Sequence, residues 1–427
     1  MIREASRRLI PGLLAFVISM YANCGPQIPA GDSRVSPGYV LFTPLLSTST
    51  YLINERGQVV HIWRSRYPPG TSVALLENGH LLRSGREPDG TIRGPGQGGR
   101  IQEFTWEGDL VWDWVAASDQ RMPHHDFQPL PNGNILLIVW ERKGRDEALR
   151  AGRRPDAVGR AGLWPDSVLE VRPSGQRGGT VVWEWHSWDH LIQDRDSRAP
   201  GYGLVPDHPE LIDINGNVER EPLTDEQVER FRALGYISGE TASGDLDPDF
   251  MHTNAIAFHP QLNQIALSVT NFNELWIIDH GTTTAEASGH AGGRSGRGGD
   301  LLYRWGNARV YGRGRLPERY FYGLHDVRWI PPGYPGGGHL MAFNNGSGRR
   351  GADYSTVVEI EPPVRANGTY ALEPGRPFAP SAPCWEYPAK GRSRIYADFL
   401  SSAHRLPNGN TFICLGPQGR FLEVTRR

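Results

Sequence analysis

The sequence predicts an all-β protein, a β-propeller of four-stranded blades. One recurrent phrase is a short strand, a tight turn and a second apolar strand, as in residues 125–139 with Asn132 and Gly133 at the turn. The other is an apolar residue followed by two aromatic residues at alternate positions, as in Val182-Trp183-Glu184-Trp185. Gly (52) and Pro (34) are frequent, which is typical of many short strands joined by turns.

The hairpin phrase rests on the backbone freedom of Asn and Gly, both of which tolerate positive φ angles. Related hairpins recur at 73–82, 125–139, 252–269, 325–343 and 403–415. The aromatic strands that precede them lie at 60–63, 111–114, 182–185, 302–305 and 384–387. Further apolar strands lie at 101–104, 167–171, 274–278, 356–360 and 421–424. Each repeat therefore holds about four strands.

The two ends of the chain are incomplete repeats. Strands near 39–42 and 51–53 precede the first full repeat, and the last hairpin has no aromatic strand of its own. The simplest closure lets the N-terminal strands complete the last blade, which leaves no open sheet edge. Five repeats and an N-terminal remainder predict five or six blades.

Residues 1–24 are typical of a signal peptide, because arginines precede a short apolar run at 9–22. The run is too short to span a membrane comfortably. We therefore expect an exported protein, periplasmic or in the cell envelope. Cys24 is a candidate for lipoprotein acylation, although the residues before it match that signal poorly; a soluble exported form and an uncleaved membrane tether are the alternatives.

Residues 25–38 are rich in Pro and Gly and are predicted to be a linker, followed by the propeller domain at 39–427. Residues 187–250 interrupt the third repeat and are predicted to be a partly helical insertion. Its helix is expected to begin after Thr224, with Gln227 completing a capping box, and to stop at Gly235.

Several function classes are disfavoured. The formal net charge is −2 and no basic face stands out, so nucleic-acid binding is not expected. The Gly-rich stretch 288–299 lacks the lysine of a nucleotide-binding loop and is predicted to be a mobile or substrate-facing loop. The sequence contains no CxxC or HExxH motif, so a structural zinc site is not predicted. No cofactor is expected. Cys384 and Cys414 form a disulfide or remain as buried strand thiols.

Three histidines stand at the first residue of the same strand in three repeats: His125, His252 and His325. The innermost strands of a propeller line its central channel, so equivalent side chains can converge there. Such imidazoles can bind a metal, act as acid or base, or include a nucleophile. The alternative is that each histidine only caps its strand.

The neighbours of these histidines are expected to face elsewhere, because side chains alternate along a strand. His124 would face away from the channel unless a bulge redirects it, and Asp126 and Asp326 should point away from the axis. Because no carboxylate of obvious ligand spacing joins the histidines, no metal site is predicted.

Five phrases carry a resemblance to a known family: His124-His125-Asp126-Phe127, Met251-His252-Thr253-Asn254-Ala255-Ile256, Arg304-Trp305-Gly306-Asn307, Asn344-Asn345-Gly346-Ser347-Gly348-Arg349 and Arg405-Leu406-Pro407-Asn408-Gly409-Asn410. Over about residues 40–425 the chain resembles the bacterial arylsulfotransferases. The resemblance implies six blades and export. It also implies transfer of a sulfuryl group from an aryl sulfate to a phenolic acceptor through a sulfated histidine, without a nucleotide donor.

The resemblance also implies roles for single residues. His325 matches the nucleophile, His252 matches the histidine of the family's H-x-N phrase, and Asn254 is its asparagine. The pair of His124 and His125 matches a third active-site histidine, and register favours His125.

The chain departs from the family at Thr270, where the family carries an arginine that can fork around sulfuryl oxygens. Arg328, Arg349 and Arg304 are candidates to replace that charge, with Arg349 the best placed for substrate binding beside Thr270 and Asn254. Arg328 should face away from His325, and Arg304 is expected to pack within a blade. Because of this departure, the alternative to an enzyme is a catalytically silent propeller that binds a sulfated or phenolic ligand or a partner protein.

Overall fold

The computed structural model describes residues 35–217, 224–234, 247–349, 351–388 and 395–426, together with one short strand, Ala15–Val17. These residues form six antiparallel sheets arranged as a six-bladed propeller, which confirms the predicted fold class. Apart from that strand and residues 35–38, the predicted signal peptide and linker lie outside the described residues, as does Gly235. None of the helices in the described ranges is long and apolar enough to cross a membrane.

Each blade is a meander, and in blades 2 to 6 the first strand is innermost, where it contacts the first strands of the neighbouring blades. Blades 1 to 3 consist of β1 (Ala15–Val17), β2 (Tyr39–Pro44), β3 (Ser49–Asn54) and β4 (Val59–Arg64); β5 (Pro69–Leu75), β6 (Leu81–Arg86), β7 (Gly99–Phe104) and β8 (Leu110–Val115); and β9 (Arg121–Pro129), β10 (Ile135–Glu141), β11 (Asp166–Ser174) and β12 (Gly178–His186). A parallel pair, β13 (Leu191–Ile192) and β14 (Ile212–Asp213), belongs to the insertion.

Blades 4 to 6 follow the insertion. They consist of β15 (Thr253–His259), β16 (Gln264–Val269), β17 (Glu274–Asp279) and β18 (Tyr303–Trp305); β19 (Leu324–Trp329), β20 (Leu340–Asn344), β21 (Thr356–Ile360) and β22 (Trp385–Tyr387); and β23 (Ser402–Arg405), β24 (Thr411–Leu415) and β25 (Arg420–Val424). The α-helices are α1 (Arg145–Arg150), α2 (Asp225–Ala233) and α3 (Thr284–Ala287). Short 3-10 turns cover Pro155–Ala157, Ser187–His190, Val205–Asp207, Thr270–Phe272, Ala308–Tyr311, Leu316–Glu318 and Gly416–Gln418.

The Asn-Gly phrases form the predicted hairpin turns. In blade 3 the Leu130 N–H donates to the Asn134 carbonyl at 2.8 Å, and Gly133 has a φ of +82°. Gly409 repeats this conformation in blade 6, with a φ of +86°. A side chain at either position would be strained, so the turn chemistry of the sequence fixes these hairpins.

The aromatic strands are the outer strands, and their tryptophans join each blade to the next. One indole N–H from each of blades 1 to 5 donates to a backbone carbonyl of the following blade at 2.6 to 2.9 Å. The pairs are Trp63 to Thr105, Trp112 to Gly178, Trp185 to Gly299, Trp305 to Pro380, and Trp385 to Arg426. The second recurrent phrase therefore encodes the contact between neighbouring blades.

Apolar side chains fill the space between neighbouring sheets. In one such layer Leu82 and Ile101 of blade 2 lie in one buried cluster with Phe127 and Leu137 of blade 3. Equivalent layers lie between the other successive blades. Each blade is thus buried on both faces, which explains the apolar character of its central strands.

The ring closes where the ends of the chain meet. Phe42 of blade 1 packs edge-on against Phe421 of blade 6 with ring centroids 5.4 Å apart, and the Ser36 N–H donates to Glu423 at 2.8 Å. The expectation that the N-terminal strands complete the last blade is wrong. The N-terminal strands form blade 1, a sheet of their own, and do not add to β23–β25.

The insertion lies between blades 3 and 4, and its helix α2 has the predicted start. The Thr224 hydroxyl accepts from the Gln227 N–H, and the Gln227 side chain accepts from the Thr224 N–H. Val228 of α2 packs in a small cluster with Phe399 and Leu400, just before blade 6. The insertion therefore reaches across to the closure of the ring.

We predict that Trp305→Phe lowers the free energy of unfolding by about 1–3 kcal/mol, because it leaves the half-buried Pro380 carbonyl without its donor and reduces packing. Denaturant unfolding measures the change. Trp106→Phe is the control, since Trp106 is 42% exposed and should change stability by less than about 0.5 kcal/mol. Equal losses in the two variants would contradict the role of the indole hydrogen bond.

Candidate active site

The innermost strands of four blades depart from regular pairing near the start of the strand. At these irregularities His125, His252 and Asp326 adopt φ angles of +52°, +51° and +55°. A left-handed conformation costs a residue with a side chain about 1–2 kcal/mol. These bulges break the alternation of the strand, so consecutive side chains can reach the same region.

The bulges explain why the expected orientation of Asp126 and Asp326 is wrong. Both carboxylates accept a hydrogen bond from the Arg328 guanidinium, each at 2.8 Å. Arg328 also donates to the carbonyl of Ile256 at 2.9 Å. One guanidinium thus connects the innermost strands of blades 3, 4 and 5, which requires the carboxylates to face the channel.

His124 and His125 form a buried pair. Their Nδ1 atoms lie 2.8 Å apart, and His124 Nε2 lies 3.1 Å from Asp166 Oδ1. If His124 donates its Nε2–H to Asp166, a neutral His124 accepts at Nδ1, and the His125 Nδ1–H is the donor. His124, which a regular strand would turn away, therefore orients His125 and also stacks on Trp140 with ring centroids 4.0 Å apart.

His252 is paired with a carboxylate and lies against His125. Its Nδ1 is 2.5 Å from Asp249 Oδ2, and its ring centroid is 4.5 Å from that of His125. Asp249 is held in turn by the indole N–H of Trp140 at 3.1 Å. A carboxylate at Nδ1 fixes the orientation of the ring and favours the protonated form of an imidazole.

His325 has a defined tautomer. The Asn345 Nδ2 group donates to the carbonyls of Ala397 and Leu400 at 2.7 and 2.9 Å, so its Oδ1 faces His325 Nδ1 at 2.6 Å. The His325 Nδ1 must therefore carry the proton. Its Nε2 holds the lone pair, and it is buried without a hydrogen-bond partner among the described residues.

Burial keeps two of these imidazoles neutral. It lowers the pKa of His325 to about 3, with the nearby His252 acting in the same direction. Burial also lowers the pKa of His125 well below its ordinary value, helped by His252, His124 and His325. His125 therefore lies within electrostatic reach of the other three histidines, and His325 offers a free base at neutral pH.

Asn254 and Thr270 support the backbone before His325. Asn254 Nδ2 and Thr270 Oγ1 both donate to the Leu324 carbonyl, at 2.8 and 2.7 Å. Asn254 also donates to Thr270, and Ser268 donates to Asn254 Oδ1 at 2.6 Å. Two of the three predicted substrate-binding residues thus position the strand that carries His325.

The three arginines considered as replacements differ in their surroundings. Arg304 is fully buried, paired with Glu274 at 2.5 Å and placed over the Tyr311 ring at 4.3 Å, which agrees with packing inside a blade. Arg328 is committed to its two aspartates. Arg349 donates to the Tyr354 carbonyl at 3.2 Å and lies 5.3 Å from the ring of Tyr322, in the loop that follows Asn345.

The pattern of recurrent histidines did not reveal the residues that hold them. Asn345, Asp249 and Asp166 do not belong to the recurrent histidine pattern, and two of them contact two blades each. The Gly-rich loop 94–99 was also missed, although it packs on the site: the His125 N–H donates to the Gly96 carbonyl at 2.8 Å. A side chain at Gly96 would overlap the His125 ring, with 2.2 Å between its Cβ and His125 Nε2.

The two cysteines do not form a disulfide. Cys414 is buried on β24 and Cys384 is exposed before β22, and both are free thiols. Two groups of side chains in the described ranges have the spacing of metal ligands, and neither group includes the four channel histidines.

The sequence profile of the arylsulfotransferase family matches residues 47–425, nearly the whole chain. The chain therefore belongs to the arylsulfotransferase family, as its motifs predicted. Membership implies an aryl sulfotransferase activity with small-molecule aryl sulfates and phenols as substrates. No curated protein matches the sequence at a significant level.

Solved structures resemble the chain only distantly. A protein of unknown function from Bacteroides caccae is 12% identical, with 92% of this chain and 91% of that chain covered and a TM-score of 0.42. Regucalcin, a calcium-binding protein from Agrobacterium tumefaciens, is 11% identical, with coverage of 99% and 93% and a TM-score of 0.42. Hydrazine synthase from Kuenenia stuttgartiensis is 13% identical, with coverage of 75% and 67% and a TM-score of 0.38.

The buried His325 predicts a pH dependence of stability. Its folded pKa of about 3 lies below the unfolded value of about 6.5, so between these values the unfolded chain binds more protons. Stability is complete above about pH 6.5 and falls as the pH drops toward 3, by about 1.4 kcal/mol per pH unit for one such group. We expect His325→Asn to reduce that slope between about pH 6 and 4, measured by denaturant unfolding at several pH values. Equal slopes for wild type and variant would contradict this.

Proposed function

We propose that this chain is a sulfotransferase that moves a sulfuryl group from an aryl sulfate to a phenol through a sulfated His325. The observation that carries the proposal is the His325 imidazole itself. Asn345 holds the proton on Nδ1, burial keeps the ring neutral, and Nε2 keeps an uncommitted lone pair. A neutral, oriented imidazole is a competent nucleophile near neutral pH.

In the first half-reaction His325 Nε2 attacks the sulfur of the aryl sulfate, and the bond from sulfur to the phenolic oxygen breaks. The leaving phenolate takes a proton from His252, whose imidazolium Asp249 stabilises at 2.5 Å. Asn345 accepts from Nδ1 throughout, so it stabilises the positive charge that develops on the His325 ring. The product is a phenol and an enzyme with sulfur bound to His325 Nε2.

In the second half-reaction the acceptor phenol binds where the first phenol left. His252, now neutral, removes its proton, and the acceptor oxygen attacks the sulfur. The bond from sulfur to His325 Nε2 breaks and returns the lone pair to the ring. No nucleotide or metal takes part in either step.

Thr270 is the observation that favours a second candidate function. Its hydroxyl donates to the Leu324 carbonyl at 2.7 Å and supplies no charge where the family carries an arginine. A propeller that binds a sulfated or phenolic ligand, or a partner protein, without turnover would tolerate this change. Arg349, three residues beyond Gly346 on the adjacent loop, is the cation that we assign to the sulfuryl oxygens in the enzyme.

Substrate entry requires movement around the site. His325 is 6% exposed, and a void beside His124 and His125 measures about 10 Å³, room for about one water molecule. The loop 94–99 lies directly on His125, so its displacement would enlarge this void. Its glycines make such a rearrangement sterically inexpensive.

We also propose that the protein is exported, to the periplasm or the cell envelope, and that residues 1–24 direct it there. Cleavage would remove β1 from blade 1 and leave three strands, the same number as in blade 6. Acylation of Cys24 would instead tether the propeller to a membrane.

The test of this function is nitrophenolate release from 4-nitrophenyl sulfate in the presence of a phenol. We expect turnover by the wild type, a mass increase of one sulfuryl group on His325 when the acceptor is omitted, and loss of at least about 1,000-fold in His325→Ala. His208→Ala is the control, because His208 is an exposed residue of the insertion. Ligand binding without release or a sulfated histidine would favour the silent propeller.

A second experiment examines His252 as the acid. We predict that Asp249→Asn slows transfer from phenyl sulfate by about 100-fold, and from 4-nitrophenyl sulfate by much less, because nitrophenolate leaves without a proton. The ratio of kcat values for the two donors measures the effect. An equal loss on both donors would indicate that Asp249 only supports the fold.

A further inference from the structure

A second cluster of titratable side chains lies at the rim of the propeller, on the loop between β17 and β18. His290 Nδ1 lies 2.7 Å from Asp300 Oδ1, and His190 Nδ1 lies 2.9 Å from the same oxygen. His190 follows β12 at the start of the insertion, so the cluster joins blade 3 to blade 4. His190 and Asp300 are buried, whereas the side chain of His290 is 60% exposed.

The hydrogen bonds of His190 leave its Nδ1 facing an acceptor. Its Nε2 lies 2.9 Å from the Ala287 carbonyl, which can only accept, so Nε2 carries a proton. A neutral His190 then directs its Nδ1 lone pair at the Asp300 carboxylate. Only a second proton or a cation between the two atoms makes that contact favourable. Donation of the distal N–H to a backbone carbonyl is the arrangement that orients histidines bound to metals.

The surrounding structure holds the cluster in place. Thr283 and Glu286 form a capping box at α3, and Glu286 Oε1 also accepts from the Gly293 N–H at 3.1 Å. Asp279 accepts from the Ser295 N–H at 2.7 Å. The loop expected to be mobile or substrate-facing is therefore a hydrogen-bonded turn that presents His290.

We propose that His190, His290 and Asp300 bind a divalent cation of the zinc class, with His190 and His290 coordinating through Nδ1 and Asp300 through Oδ1. Two imidazoles and one carboxylate are a zinc ligand set with a fourth position left for water or another ligand. The three ligand atoms lie within 4.8 Å of one another. Tetrahedral zinc requires separations of about 3.3 Å, so each Nδ1 atom must move about half an ångström away from Asp300 Oδ1. The exposed His290 can make the larger change, from 2.7 Å, and the buried His190 needs the smaller one, from 2.9 Å.

His290 lines a groove that offers an entry path to the proposed site. The groove measures about 1140 Å³ and is lined by His290, Trp188 and Asp189 together with α1. A cation bound there would fix the start of the insertion to blade 4. This site is separate from the channel histidines and independent of the proposed transfer reaction.

The other group with ligand spacing provides a matched control. His339, Glu359 and Cys384 lie close together, but Glu359 already accepts from Arg405 at 2.5 Å and from Arg426 at 2.9 Å. Two guanidiniums compensate this carboxylate and repel a further cation. We therefore expect no zinc there.

The experiment is zinc titration of the chelator-treated, full-length protein by calorimetry near neutral pH, with bound metal quantified by mass spectrometry. We expect about one zinc per chain in the wild type and in His339→Ala, and binding at least about 100-fold weaker in His290→Ala and Asp300→Asn. Zinc should raise the thermal midpoint of the first two proteins only. His290→Ala removes an exposed side chain, so its fold should persist if Asp300→Asn fails to fold.

Two kinds of result would count against this site. The absence of zinc binding by the wild type, or unchanged binding by His290→Ala, would overturn the proposal. Loss of zinc in His339→Ala with retention in His290→Ala would place the ion in the other cluster.

Discussion

The ion pairs of Arg328 with Asp126 and Asp326 are the interaction on which the centre of this propeller depends. They connect the innermost strands of blades 3 and 5, and the Ile256 carbonyl brings in blade 4. The same carboxylates accept backbone N–H groups of the neighbouring blades, Asp126 from Ile256 and Asp326 from Ala403. Because a buried charge without its partner is destabilising by several kcal/mol, the three charges hold these strands together.

This network also sets the positions of the histidines. His125 and His252 adopt left-handed backbone conformations, and in blade 5 Asp326 beside His325 does so. Such conformations persist only where the surroundings overdetermine them, and they cluster at functional sites. Here the aspartates and Arg328 supply that surrounding structure. The strain and the ion pairs together place four imidazoles in one buried region.

Within that region each imidazole has a different environment. His325 faces an amide oxygen, which fixes its tautomer without adding charge. His252 faces the Asp249 carboxylate, which supports a proton. His125 is neutral and linked through His124 to Asp166. Groups of one residue type thus gain separate chemical roles from their partners, as acid and base assignments generally require.

Much of the fold followed from local sequence. The Asn132-Gly133 turn and the capping box at Thr224 rest on backbone preferences of single residues, and both occur as predicted. The aromatic strands were recognised from their period of two. Their function, the hydrogen bond from an indole such as that of Trp305 to the next blade, depends on a partner 75 residues away and could not be derived locally.

The residues of the candidate site were likewise predicted only in part from the sequence. Repetition along the chain pointed to His125, His252 and His325, because equivalent strands of a propeller meet at its axis. The predicted orientation of the Asp126 and Asp326 side chains was wrong, because a bulge in each strand breaks the regular alternation on which that prediction depended.

The sequence by itself determined the repeat, its turns and the family, because these depend on backbone preferences and on short motifs. Only the tertiary structure decided which groups share a hydrogen bond. Asn345 meets His325 across a hairpin, and His190 meets Asp300 across 110 residues. No local pattern encodes such pairs, because they arise when neighbouring blades pack and their loops come together.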